Sequence, residues 1–215
     1  MNNTNIPIER HPWEPFVPEN SRVLILGAFP PKSNRWSMEF YYPNRINDFW
    51  RIIGLVFFAD KDYFYDTNAK SFRLDDILNF LNSKGIAMGD AALEVKRLKD
   101  NASDKHLEVV TPLPINDLIV KMPNCHTIVS TGEKAAQIIG QVTGTNIPAV
   151  GKSTVFNANN RAINIFRMPS TSRAYPLPID QKADFYRLCP AEPAYQDPFG
   201  SESGVYGEYP VSAGG

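Results

Sequence analysis

Four short, nearly unbroken apolar runs set the limits on how this chain can fold: RVLILG at residues 22–27, GIAMGD at 85–90, HTIVST at 126–131 and AINIFRM at 162–168. A strand with one wet face alternates apolar and polar side chains. A run without that alternation is buried on both faces, as in a parallel sheet covered by helices. Helical periodicity fills the intervals. DFWRIIGLVFF, at 48–58, puts Trp50, Ile53 and Phe57 on one face. LDDILNFLNSKG at 74–85 and EKAAQIIGQVTG at 133–144 each close on a glycine, the residue that best adopts the left-handed turn after a helix. IDQKADFYRL at 179–188 follows a proline-rich turn. Strands alternating with helices predict an α/β fold. The expectation is a three-layer α/β/α sandwich around a mainly parallel sheet of about four strands, with right-handed crossovers.

The chain has 215 residues, enough for one domain with a core that needs no staples. We assign residues 1–189 to that domain. Residues 190–215, rich in Pro, Gly, Ser and Tyr, read as an extended or disordered tail. Residues 100–114 look like a surface connection, and 143–162 like a hairpin or loop excursion. No run is long enough to span a bilayer, and the first residues lack the basic start and apolar stretch of a signal peptide. A cytoplasmic, monomeric protein is expected. Cys125, inside an apolar stretch, reads as a core thiol. His11, His106 and His126 are scattered, and neither Cys125 nor Cys189 has a second cysteine at ligand spacing. No metal or cofactor is expected.

The net charge of −1 weighs against a nucleic-acid partner. Its distribution weighs the other way, because the 22 basic side chains all precede residue 190, where only 19 of the 23 acidic ones lie. Within residues 32–51, Lys32, Arg35, Arg45 and Arg51 stand against Glu39 and Asp48, interleaved with Trp36, Phe40, Tyr41 and Tyr42. Basic residues among aromatics suit a surface that tracks a phosphate backbone and stacks bases. An ordinary solvated loop has the same composition.

Ligands of open parallel sheets bind beyond the carboxyl ends of the strands. Two loops follow such ends here, GAFPP at 27–31 and MPSTSR at 168–173, and YYPNRINDFW at 41–50 leads into the first helix. The order and content of these segments resemble the uracil-DNA glycosylase superfamily, most closely its deoxyinosine (hypoxanthine) branch. The resemblance implies a uracil-DNA glycosylase-like fold. It also implies a monofunctional base-excision enzyme that hydrolyses the N-glycosidic bond of hypoxanthine or uracil flipped out of DNA. Many superfamily members carry an Asp or Asn where this chain has Phe29, and a His or Asn where it has Met168. The deoxyinosine branch shares both departures and uses an Asn in an NxFW element, which Asn47 matches.

By that resemblance Asn47 is the catalytic residue. A carboxamide has no useful basicity near neutral pH, but it both donates and accepts, so its role is to position water or the leaving base. An Asn ahead of a helix is equally suited to capping, and the two roles are compatible. Gly27, Ala28, Phe29, Tyr42, Asp90 and Met168 would surround the base, with Tyr42 stacking on it and Asp90 reading its edge. A Tyr pair packed under the helix, and an Asp serving as a cap or salt bridge, are the plainer readings. Pro30, Lys32, Arg45, Pro169, Ser170, Thr171, Ser172 and Arg173 would meet the DNA backbone. Thr131, in TGEKA, stands where the branch has Asn. Two other functions fit the same residues: a DNA-binding relative without turnover, and a hydrolase of free nucleosides.

Overall fold

The computed structural model describes residues 6–99 and 104–187. In chain order the elements are β1 (Ile8–Arg10), β2 (Val23–Gly27), α1 (Phe49–Phe58), β3 (Tyr65–Asp66), β4 (Ser71–Phe72), α2 (Leu74–Lys84) and β5 (Ile86–Asp90). They continue with β6 (Ala92–Arg97), β7 (Leu107–Pro112), α3 (Ile115–Val120), β8 (Thr127–Thr131), α4 (Glu133–Thr143), β9 (Ser153–Ala158), β10 (Arg161–Met168) and α5 (Ile179–Arg187). The tail expected from residue 190 onward, and Cys189, lie outside the described residues.

The four apolar runs form β2, β5, β8 and β10, and these pair in parallel in the order β5-β2-β8-β10. The sheet has five strands rather than about four. The fifth is β9, antiparallel to β10 at the edge. It comes from the 143–162 stretch and takes the hairpin alternative. Its turn, Asn159-Asn160, has φ of 51° and 58°, the pair of positive values that a two-residue type I′ hairpin requires and that Asn tolerates. The glycine stops also hold. Gly85 and Gly144 close α2 and α4 with φ of 62° and 69°.

One expectation fails. Residues 107–112 are no loop but strand β7, paired antiparallel with β6, whose other edge takes β1. This second sheet, of order β1-β6-β7, is half-exposed and carries Glu94, Lys96 and Glu108. Charged residues of low β propensity mask its alternation.

Alternate side chains of the parallel strands enter two separate apolar clusters. Val23, Ile25, Met88 and Val129 pack with Trp50, Ile53, Phe80 and Ala183 from α1, α2 and α5. Leu24, Leu26, Ala87 and Ile128 pack with Ile115 and Ile119 of α3, Ile138 and Ile139 of α4, and Val95 of β6. Such burial is the main term holding the fold, at roughly 25 cal/mol per Å² of apolar surface. Helix α1 is further pinned by Trp50, whose indole N–H donates to the Tyr41 carbonyl at 3.0 Å, while the Tyr41 hydroxyl donates to Glu14 O at 3.0 Å. The start of α1 is thereby pinned to the segment that precedes it.

Gly54, inside α1, is kept by packing and not by conformation. A Cβ there would stand 2.3 Å from the Asp60 carbonyl oxygen, where the chain folds back after the helix. Alanine normally stabilises a helix interior over glycine by roughly 0.5–1 kcal/mol. Gly54→Ala is expected to do the opposite and cost about 1–3 kcal/mol through overpacking, read as a lower urea midpoint at unchanged slope.

Candidate active site at the carboxyl ends of the strands

The parallel register brings four strand ends level: Gly27 pairs with Asp90, Leu26 with Ser130 beside it, and Thr131 with Met168. The Gly27 and Met168 loops therefore open on one edge of the sheet. Gly27 is required by its neighbours. A Cβ on it would stand 2.2 Å from Asp90 Oδ1 and 3.0 Å from the Tyr42 hydroxyl. The space that a side chain would fill belongs to a carboxylate and a phenol.

Asp90 is 8 % exposed, and its Oδ2 lies 3.0 Å from His11 Nε2, which is itself almost sealed from solvent. Among the described residues Oδ1 has no hydrogen-bond partner, and it stands over Gly27. Burial raises the Asp90 carboxyl above the ordinary carboxylate range, and His11 opposes that shift. His11 is held in turn by Trp13, whose carbonyl lies 2.7 Å from Nδ1, and its ring stacks on Tyr41 and meets the edges of Trp13 and Phe29. Phe29 thus helps enclose the His11–Asp90 pair.

Tyr42 has φ of 55°, a left-handed conformation uncommon for a bulky side chain and typical of strained functional positions. Its ring stacks on Phe49 with centroids 3.8 Å apart and planes 14° from parallel. Its hydroxyl is 2.7 Å from Thr131 Oγ1, which also reaches the Leu26 carbonyl at 3.4 Å. Thr131 has one proton; if it goes to Leu26, the Tyr42 O–H donates to Thr131. Burial first, and the Asp90 charge second, push the phenol well above its ordinary range, so it stays protonated.

Asn47 and Asp48 divide the work at the start of α1. Asn47 Oδ1 accepts from the Phe49 N–H at 2.9 Å, so the amide does cap the helix. Its Nδ2 makes no hydrogen bond to any described residue. Asp48, the residue at the N-cap position, makes no cap bond with its side chain. Its carboxylate takes Lys182 Nζ on Oδ2 and Arg173 Nε on Oδ1, both at 3.0 Å. Lys182 is 1 % exposed, and its Nζ also donates to the Ser172 carbonyl at 2.9 Å. The Asp48 N–H donates to Thr171 O at 2.9 Å. The start of α1, the MPSTSR loop and α5 are thereby fastened into one unit.

The structure places the expected site residues differently. Gly27, Tyr42 and Asp90 are brought into contact. Asn47 and Arg173 flank Asp48, and Arg173 is half-exposed with its outer nitrogens uncommitted. Ser170 and Ser172 are used locally, their hydroxyls accepting the N–H groups two residues on, while Thr171 is buried. Ala28, Met168 and Pro169 are buried and shape the floor. Pro30 is buried, its carbonyl taking the Arg97 guanidinium that also pairs with Glu9. Lys32 and Arg45 are exposed, Arg45 lying in a separate cleft with Arg35.

Three contributors were not read from the sequence: His11, the ion-pairing part of Asp48, and Lys182. His11 lies 79 residues from Asp90 and arrives through the β1–β6 pairing, which no local signal announces. Lys182 did carry a signal. It falls four residues before Tyr186, on the buried stripe of α5, and a lysine in such a stripe calls for an acid.

The difference between the two cations on Asp48 is testable. Lys182→Met removes the buried partner and is expected to cost about 3–5 kcal/mol. Arg173→Ala removes a half-exposed one and is expected to cost less than about 1 kcal/mol. Chemical denaturation of both variants checks the order.

No protein-family model matches this chain, and no curated protein matches it. Among solved structures it is similar to the solution structure of a candidate uracil DNA glycosylase from Methanosarcina acetivorans, at 21 % identity and a TM-score of 0.54 over 85 % of this chain and 99 % of that one. The likeness extends over nearly the whole described chain and establishes that the two share a fold.

Proposed function

We propose that this chain is a monofunctional DNA glycosylase that removes a deaminated base, hypoxanthine or uracil, by hydrolysis of its N-glycosidic bond. The observation that carries the reading is the assembly at one sheet edge of an open carboxylate oxygen, a buried phenol and a helix-mouth amide, framed by two proline loops. A likeness in fold to a candidate uracil DNA glycosylase supports it, and the two apolar clusters on opposite faces fit the three-layer arrangement of such folds.

A base inside a duplex is out of reach, so the nucleotide is first extruded. Phe49 covers one face of Tyr42. The extruded base takes the other, gaining roughly 1–3 kcal/mol from stacking. Asp90 Oδ1 accepts the lactam N–H that deamination creates. Breakage of the C1′–N bond sends its electron pair to the base and leaves positive character on the sugar. Water attacks C1′ and loses its proton to solvent. Asn47, its plane fixed by the Phe49 N–H, positions that water or the departing base with the remaining lone pair and the free Nδ2. The Ser170–Ser172 turn and Arg173 hold the flanking phosphates without reading sequence.

A bifunctional route through a Schiff base requires an amine. The motif loops themselves carry only Lys32, and the Lys182 amine that reaches them is buried and committed to Asp48 and Ser172. Both support water as the nucleophile in this reading. Such an enzyme works where the genome is, which for this chain we take to be the cytoplasm.

One observation favours a binder without turnover: neither Phe29 nor Met168 offers a polar group, and the Asn47 carbonyl is already engaged. Labelled duplexes carrying one inosine or one uracil decide between the two, as strand breakage in alkali reports base release and a shift in mobility reports binding. The wild-type chain is expected to release one of the two bases. Asn47→Ala is expected to slow release at least tenfold. Asn47→Asp keeps the acceptor for the Phe49 N–H while deleting Nδ2, so stability is retained and the rate still falls. An unchanged rate in Asn47→Asp leaves the side chain as a cap only. Release of hypoxanthine from deoxyinosine itself reassigns the chain to free nucleosides.

A further inference from the structure

Beside the site just described, and outside it, lies a cleft of about 520 Å³ whose lining includes Arg35, Arg45 and Lys70 and no acidic residue. We infer that this cleft binds the sugar-phosphate backbone of the DNA strand flanking the extruded nucleotide, as a second site separate from the base pocket. The inference rests on the reading of the chain as a DNA-acting protein and names where the strand runs.

All three cations are exposed, and none has an ion-pair or hydrogen-bond partner among the described residues. Elsewhere the chain tends to pair its cations, as in Arg10–Glu94, Arg73–Asp76, Lys96–Glu108, Arg97–Glu9 and Arg187–Asp184. In a protein of net charge −1, three unpaired cations converging on one concavity without an acid form a local positive field, which concentrates a polyanion.

The walls of the cleft are built. Lys70 sits at the tip of the β3–β4 hairpin with φ of 52°. The Asp66 carboxylate holds that tip by accepting the Asn68 and Ala69 N–H groups on Oδ1 at 2.8 and 2.9 Å. Ser71 Oγ donates to the Ser37 carbonyl, and both Ser37 N–H and Oγ–H donate to Pro43 O at 2.9 and 2.8 Å. Trp36, on the same lining, is fixed by its indole N–H to Pro31 O at 2.7 Å and by packing on Trp13. Three cations and a fixed aromatic plane are what a single strand needs: ion contacts for phosphates and a platform for a base.

The cleft also leads to the site. Arg45 lies two residues before Asn47. A second cleft of about 460 Å³ shares Asn34 and Trp36 with the first and continues to Lys32, Pro30 and Phe29, on the loop after β2. A strand lying along both would pass the mouth of the base pocket.

The test uses the full chain and an undamaged 20-nucleotide DNA, single-stranded and duplex, so its outcome does not depend on base release. Affinity is measured by fluorescence anisotropy against salt. Each phosphate contact contributes about 0.7–0.9 to the slope of log K against log salt. The triple variant Arg35→Ala/Arg45→Ala/Lys70→Ala is expected to lower that slope by about 2 and to weaken binding at least tenfold near 0.1 M salt. These exposed side chains make no ion pair or hydrogen bond among the described residues, so cooperative unfolding is expected to stay as in the wild type. The comparison variant, Lys61→Ala/Lys84→Ala/Lys121→Ala, changes the net charge equally at the opposite ends of the strands and is expected to leave the slope in place. A slope change below about one unit in the first triple, or an equal change in both, overturns the inference. Failure of base release with the slope result intact would sink the glycosylase reading alone.

Discussion

A lysine with almost no access to solvent fastens together the segments that frame the candidate site. Lys182 comes from α5, meets Asp48 at the start of α1, and caps the Ser172 carbonyl in the loop after β10. Lys182 stands 134 residues from Asp48 in the chain and 10 from Ser172. A charge pair taken from water is a poor source of stability compared with an apolar pair of the same volume. Its retention makes sense as a device for geometry. It sets the Asn47 amide and the MPSTSR loop at one spacing, whereas apolar packing tolerates sliding. Arg173 on the other oxygen of Asp48 extends the same fastening toward solvent.

Much of the central sheet was legible because both of its faces are buried. Unbroken apolar runs mark such strands without ambiguity, and their bounds fell within a residue of β2, β5, β8 and β10. The α1, α2, α4 and α5 helices were legible from periodicity and, for α2 and α4, from glycine stops. The second sheet was not, because its strands carry charges on an exposed face and its partner β1 is three residues long. Helix α3, six residues long, lacks the length for a period to declare itself. The candidate site followed the same division. Gly27, Tyr42 and Asp90 stand at strand ends or in the loop before α1, so their convergence follows from the parallel register. His11 and Lys182 depend on long-range docking of β1 and α5, which local pattern does not encode.

The cap at Asn47 is compatible with the chemistry proposed for it. A carboxamide that spun freely would offer its donor and acceptor in every direction. The Phe49 N–H selects one orientation by engaging Oδ1. The cap therefore does for Asn47 what Thr131 does for Tyr42, fixing one polar atom so that the remainder of the side chain is presented in a defined way. Preorganisation of this sort removes a reorganisation cost at the moment of reaction.

The two carboxylates at the sheet edge illustrate how environment separates roles. Asp48 has both oxygens on cations, so it is a strut and has no lone pair placed for a substrate. Asp90 has one oxygen on an imidazole and the other uncommitted above a glycine. Burial favours its neutral form and His11 its charged form. In the proposed function, that uncommitted oxygen is the acceptor for the N–H of a lactam edge. A base that has not been deaminated presents a ring nitrogen and an amino group instead, so on the proposed reading Asp90, oriented by His11, is the group that tells the two edges apart. Discrimination of this kind needs a buried polar group that the wrong base leaves unpaired, because an apolar pocket of the same shape separates such bases poorly.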